Sequence, residues 1–201
     1  MAVSDRTKGA SAERILDAAE RLVQLRGYNG FSYADVAAEL GVTKPSLHYH
    51  FPSKAALGTA LIDRYRERFA RRLAEIDERV ADAPSRLAAY ADLYGAVLEG
   101  QRMCLCGMLA AEFQTLPEEM RRSVLAFFDR NEAWLGGVLR EGRRAGTLAF
   151  SGSPRDLARA LVSALEGALL TARPYEDAGR YRRTAARLLA TLAAPREPGD
   201  R

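Results

Sequence analysis

One stretch constrains the fold of this chain more than any other: Phe31-Ser-Tyr-Ala-Asp-Val-Ala-Ala-Glu-Leu-Gly-Val-Thr-Lys-Pro-Ser-Leu-His-Tyr-His-Phe-Pro-Ser-Lys54. Ser32 is placed to cap a helix, because its hydroxyl can accept from the free amides of a first turn. Asp35 completes a capping-box pattern and suits the positive end of the helix dipole. Val36, Ala37 and Leu40 share one face at helical spacing. Gly41 can adopt the left-handed conformation that ends a helix. Val42 is expected to plug the turn, and Thr43 to cap a second helix. Pro45 falls in that helix's first turn, where a missing N–H does no harm. Leu47 and Phe51, four apart, are expected to face inward, and Ser53 to cap a third helix. The pattern predicts two short helices joined by a tight turn, with a longer helix following.

The residues left on the outer side of the second short helix are Lys44, Ser46, His48, Tyr49 and His50, which include both histidines of the chain. This is the layout of a helix-turn-helix, whose second helix enters the major groove N-terminus first. Lys44 can donate to guanine O6 or N7 or neutralise a phosphate. Ser46 can bond a base edge, and Pro45 can meet a thymine methyl. His48 and Tyr49 are flat with polar tips that can span the groove wall. His50 and Lys54 come late and are expected to reach phosphate oxygens, which position the helix rather than specify sequence. The candidate DNA-contacting residues are thus Ser32, Tyr33, Thr43, Lys44, Pro45, Ser46, His48, Tyr49, His50 and Lys54. The bland alternative is a helical hairpin on which Tyr and His are only packed side chains.

Residues 11–65 resemble the DNA-binding domain of the TetR family of bacterial repressors. Members end this region with a Leu-Tyr-Tyr-His-Phe-x-x-Lys pattern, and here it reads Leu47-His-Tyr-His-Phe-Pro-Ser-Lys54. His48 stands where many members carry an aromatic residue. The resemblance implies an all-α protein with a three-helix DNA-binding head and a larger helical domain for ligand binding and dimerisation. The expected division is 1–54 for the head, 55–194 for the regulatory domain and 195–201 for a disordered tail.

Composition narrows the field. The 201 residues are 48% hydrophobic, which suits a globular chain with a real core, and the net charge is +4. Residues 1–54 carry seven basic and six acidic side chains. DNA affinity must therefore come from where the charges point rather than from their sum. No apolar stretch follows the start and no run approaches the ~20 apolar residues of a membrane span. A cytoplasmic protein with no membrane partner is expected. No metal motif or phosphate loop appears, and no cofactor is expected.

Along the chain, residues 1–10 are expected to be loose and the first helix to run from Ser11 to Arg26. It buries Ile15, Ala18, Ala19, Leu22 and Val23 and ends at Gly27. A long helix over 54–80 carries Leu57, Leu61, Tyr65, Phe69, Leu73, Ile76 and Val80 on one face. Further helices are predicted near 85–100, 103–115, 117–144, 154–172 and 177–192. In the last two, Leu157, Leu161, Leu165 and Ala168 form one stripe, and Leu188 and Leu192 belong to another. Residues alone leave open whether these stripes cover the core or a partner. In the family, the two C-terminal helices pair with those of a second subunit, which makes the six residues candidate dimer contacts. A homodimer would read a pseudo-palindromic double-stranded operator, with half-sites ~34–36 Å apart or a multiple of that.

The regulatory half offers apolar wall for an unidentified small-molecule inducer, with candidates Tyr90, Tyr94, Met108, Phe113, Phe128 and Trp134. Cys104 and Cys106 lie too close together for a structural disulfide. A Cys at a helix start, near Arg102, can be made reactive by the positive helix end. The segment around Cys104, with Ala111-Glu112 and Leu116-Pro-Glu-Glu-Met120, resembles a branch of the family that senses electrophiles and oxidants through a Cys here. The expected function is a sequence-specific DNA-binding transcriptional regulator, a repressor released by a small molecule or by thiol modification. The alternatives are a transcriptional activator, a helical enzyme, or a scaffold without DNA binding. The enzyme reading suffers from having its only histidines on the recognition helix. The scaffold reading leaves the exposed Lys44, His48, Tyr49, His50 and Lys54 unexplained.

Overall fold

The computed structural model of the protein describes residues 2–194, so the tail expected at 195–201 lies outside the described residues. Among these residues the chain is helical, without strands. The α-helices are α1 (Ala2–Arg26), α2 (Tyr33–Leu40), α3 (Lys44–His50), α4 (Lys54–Arg79), α5 (Ala83–Leu98), α6 (Leu105–Ala111), α7 (Glu118–Arg144), α8 (Pro154–Ala172) and α9 (Ala178–Ala190). Single 3-10 turns follow α6 (Phe113–Thr115) and α8 (Arg173–Tyr175). The all-α expectation holds. One boundary differs: α1 begins at Ala2 rather than Ser11. Extending an existing helix costs far less than nucleating one, and no proline interrupts residues 2–10.

The chain gathers into two compact units. The first comprises the described residues up to Arg68 together with Arg102–Ala126. The second comprises Phe69–Gln101 together with the described residues from Phe127 onward. The head expected over 1–54 falls within the first unit, which also takes in the start of α4, α6 and the start of α7.

In the first unit, the predicted stripe Ile15, Ala18, Ala19, Leu22 and Val23 is buried, as are Val36, Leu47, Leu57 and Leu61. Ion pairs fasten α1 to its neighbours. Arg64 on α4 reaches Glu13, Asp17 and Glu20, and Arg68 also holds the buried Glu20. On the other side, Arg21 pairs with Glu39 and Arg26 with Asp35, which ties α1 to α2.

In the second unit, Asp82 caps α5 by accepting from Ser85 N at 2.8 Å, and Ser153 caps α8 with Asp156 as its reciprocal partner. Tyr181 on α9 donates to the Ala91 carbonyl of α5 at 2.7 Å. The approach is close: a Cβ on Gly95 would stand 3.1 Å from the Tyr181 ring. Phe69, Tyr90, Tyr94 and Phe127 form an aromatic cluster with ring centroids 5.1–6.1 Å apart. Edge-to-face geometry of this kind adds to area burial.

Candidate nucleic-acid interface

The helix-turn-helix is built from its caps outward. Ser32 Oγ accepts from Asp35 N, and Asp35 accepts in return from Ser32 N at 2.7 Å, so the capping box is complete. Those bonds, from the Ser32 hydroxyl first and then its amide, hold the Asp35 carboxyl below its usual range. Gly41 has φ 65° and ends α2 in the left-handed region. Ser53 caps α4, its Oγ accepting from Ala56 N at 3.0 Å.

Two expectations about the turn fail. Val42 is exposed and plugs nothing. Thr43 occupies the N-cap position of α3, but its side chain makes no cap bond. The reason is local: the N2 position is Pro45, which has no N–H, and the N3 amide of Ser46 already donates to the Thr43 carbonyl at 3.1 Å. The Thr43 hydroxyl is therefore not consumed by the helix.

α3 divides as its spacing predicts. Leu47 is fully buried, while Lys44, Pro45, Ser46, His48 and Tyr49 are exposed, Tyr49 by 69%. His50 is half-buried, its ring 5.3 Å from that of Tyr49. His48 lies against the Tyr33 ring at 4.7 Å, and its Nδ1 is 3.2 Å from the Pro52 carbonyl. With the proton on Nδ1, that atom donates to Pro52 and Nε2 is left as an acceptor.

Two expected contact residues are turned inward. Tyr33 is buried, and its hydroxyl lies 2.8 Å from the carbonyls of Phe51 and Ser53 in the α3–α4 turn. Burial pushes its ionisation up to about 12. Lys54 donates to the Phe31 carbonyl at 2.6 Å and lies over the rings of Tyr28 and Phe31. Burial lowers its pKa, against the opposing pull of Glu112 and Asp35. Ser32, Tyr33, Lys44, His48 and Lys54 all line one open recess together with Phe31 and Ala34.

The expected ligand-pocket residues are drawn from both units. Cys104, Cys106, Met108 and Phe113 belong to the first unit, and Tyr90, Tyr94, Phe128 and Trp134 to the second. The second group satisfies its polar tips internally. Tyr90 donates to Asn131 Oδ1 at 3.0 Å, and Trp134 Nε1 donates to Asp77 at 2.9 Å. Both cysteines are buried thiols; Cys104 stands at the N-cap of α6, and the Tyr65 hydroxyl points to its Sγ at 3.7 Å. Arg102, expected beside a thiolate, instead bonds Gln24 Oε1.

The expected dimer contacts lie at different depths. Leu161, Leu165, Ala168 and Leu192 are buried in the chain's own second unit, and Leu157 and Leu188 are half-buried. The most apolar stripe of a helix goes to the core because it removes the most area from water. The exposed face of α8 carries Ala160, Ser163, Gly167 and Leu170.

With this geometry in place, the comparisons with known proteins are decisive. Residues 15–61 match the family described as bacterial regulatory proteins, tetR family, and residues 83–188 match the tetracyclin repressor-like C-terminal domain. The chain belongs to the TetR family. It is 31% identical over 152 residues to the transcriptional regulator AcuR of Cereibacter sphaeroides, covering 74% of this chain and 69% of that one. It is 28% identical over 174 residues to the repressor NemR of Escherichia coli, covering 83% and 86%. A TetR-family regulator from Agrobacterium tumefaciens superposes with a TM-score of 0.89 at 32% identity, covering 93% of this chain and 100% of that one. This TetR-family chain is a DNA-binding transcriptional regulator, and its relatives and fold are those of regulators rather than enzymes. No described helix is long and apolar enough to cross a membrane.

One important contact escaped the sequence. Glu112 reaches the turn after α1, more than eighty residues away in the chain. No local periodicity signals such a pairing.

Proposed function

We propose that the protein is a repressor that reads a pseudo-palindromic operator as a homodimer, with the exposed side of α3 in the major groove. The observation that carries this reading is the division of α3, where Leu47 is fully buried and Tyr49 is 69% exposed beside Lys44, Pro45 and Ser46. The Tyr49 ring meets the His50 ring edge-to-face, and on so short a helix most of its surface is still presented to the outside. In this reading Lys44, Ser46 and Tyr49 touch base edges or phosphates, and the unused Thr43 hydroxyl meets a phosphate. In the tautomer that donates from Nδ1 to the Pro52 carbonyl, His48 Nε2 can accept from the exocyclic amine of adenine or cytosine. Tyr33 and Lys54 act from inside, holding the α2–α3–α4 geometry. Repression rather than activation is supported by two relatives named as repressors, DhaR of a Mycobacterium species and NemR of Escherichia coli.

The dimer face in this reading is the exposed side of α8, where small Ala160 and Gly167 permit close approach and Leu170, 59% exposed, supplies an apolar contact. Release follows binding of a small molecule, or modification of Cys104, in a state that holds DNA poorly. The thiol branch is supported by the position of Cys104 at the start of α6, and by a relative whose solved structure is described as the reduced form of NemR. The test is selection of duplexes from a random library by the full chain, followed by footprinting. The expected result is a two-fold-related site bound by two chains. Recovery of no enriched sequence, or one chain per site, overturns the reading.

A further inference from the structure

The turn that links α1 to α2 contains two glycines, Gly27 and Gly30, within four residues. Such a turn has little conformational preference of its own and loses the most entropy when ordered. Yet it must be well placed, because it runs straight into Phe31, whose carbonyl holds Lys54, and Ser32, which caps α2.

Its anchor comes from outside the helix-turn-helix. Glu112, at the C-terminal end of α6, accepts from Tyr28 N at 2.6 Å, and both its carboxylate oxygens lie 3.3 Å from Asn29 N. Two successive amides form a concave cradle for an anion. Gly27, at φ +83°, keeps that cradle open: a Cβ there would stand 2.6 Å from Glu112 Oε1. Beside it, Asn29 Nδ2 donates to Thr115 Oγ1 at 2.7 Å, and that hydroxyl donates to the Glu112 carbonyl at 2.8 Å. The other end of the same segment is also fastened to α1, where Met103 N donates to the Gln24 carbonyl at 3.2 Å.

We propose that Glu112 is a positioning residue for DNA recognition: its carboxylate fixes the α1–α2 turn, and operator affinity depends on it although it touches no DNA. The inference rests on the operator-reading function proposed above. A head whose turn is unclasped spends less time in the binding-competent form, and apparent affinity falls by the competent fraction.

The test uses the full chain, with a labelled duplex selected by the wild type as probe, and measures affinity by anisotropy across a salt series. Glu112→Ala is expected to weaken binding about tenfold at every salt concentration, as for loss of a charge-assisted hydrogen bond, with the log–log salt slope unchanged. Glu112→Gln, which keeps an acceptor oxygen, is expected to retain most of the affinity. Gly27→Ala displaces the carboxylate by contact and also strains the left-handed turn, and is expected to weaken binding at least as much as Glu112→Ala. The double variant is then no weaker than Gly27→Ala, because the same interaction cannot be lost twice. Amide exchange at Tyr28 and Asn29 should speed up in Glu112→Ala while exchange in the α5–α9 core does not.

Glu112→Ala binding like the wild type overturns the inference and leaves the operator-reading function standing. A slope lowered by one also overturns it, since that is the mark of a lost phosphate contact. A double variant that falls below Gly27→Ala by the full loss seen for Glu112→Ala alone does the same. A wild type that selects no duplex overturns the parent reading, and this inference with it.

Discussion

The Lys54 ammonium lies 2.6 Å from the Phe31 carbonyl oxygen and 4.6 Å from the centre of the same residue's ring. A cation held by a carbonyl and two aromatic faces is part of the head's framework. Lys54→Ala is therefore expected to destabilise the head by roughly 2–3 kcal/mol, the sum of a charged hydrogen bond and a cation–π contact less the relief of burial. Thermal or urea unfolding followed by circular dichroism checks this. A variant as stable as the wild type would show that the cage contributes nothing.

Tyr33 makes the head sensitive to alkali. Its folded-state ionisation, pushed up to about 12 by burial, lies above the ordinary value near 10. A raised value means the native state holds its proton longer than the unfolded state. The stabilisation is complete below about pH 10 and is lost as pH rises from there to about 12. Tyr28 shifts in the same direction by burial, so Tyr33→Phe removes only part of the effect. Unfolding in urea at pH 8 and pH 11 should show a smaller alkaline loss for Tyr33→Phe, with lower stability at pH 8 from its missing hydroxyl bonds. Equal alkaline losses would contradict the assignment.

Charge placed on α8 should act oppositely on its two faces. Leu170 is 59% exposed and Leu165 is buried. Leu170→Glu is expected to give folded monomers with poor operator affinity, seen by sedimentation at micromolar concentration. Leu165→Glu is expected to unfold the second unit, because an unpaired buried carboxylate costs several kcal/mol. Folded monomers from Leu165→Glu would place the pairing face where the stripe of leucines first pointed.

Cys104 is only 1% exposed, so a maleimide can reach it only when the first unit opens locally. Slow modification is expected, with a parallel fall in operator affinity. Cys104→Ser should blunt that response more than Cys106→Ser, since Cys104 occupies the N-cap of α6 and receives the Tyr65 hydroxyl. A Cys104→Ser protein that responds like the wild type removes the thiol branch and leaves a non-covalent inducer.

Much of the head was legible because its signals are local. The Ser32–Asp35 box, the left-handed Gly41, Pro45 in a first turn and the Ser53 cap are each read within four residues, and each holds. The directions of Tyr33 and Lys54 were not legible. α3 spans seven residues, under two turns, so its periodicity cannot say which flanking polar side chains fold back under it. The leucine stripe of α8 was visible, but its partner was not, since a stripe facing the chain's own α5 and α9 has the same spacing as one facing a second copy. The polar links in the aromatic cluster, such as Tyr90 to Asn131, join residues forty-one apart and leave no pattern. Glu112 was visible only as part of a motif, and its amide cradle is a product of tertiary structure.

The measurement that bears most directly on the account is the salt dependence of operator binding for the wild type, Lys44→Ala and Lys54→Ala. The wild type should lose affinity linearly on a log–log plot as salt rises, because bound phosphates release counterions. Lys44→Ala should lower the slope by about one if it meets a phosphate, or relax sequence preference if it meets a base. Lys54→Ala should weaken binding with the slope unchanged. A wild type indifferent to salt, or a Lys44→Ala variant with the same slope, affinity and preference as the wild type, would contradict the claim that the outer side of α3 reads DNA.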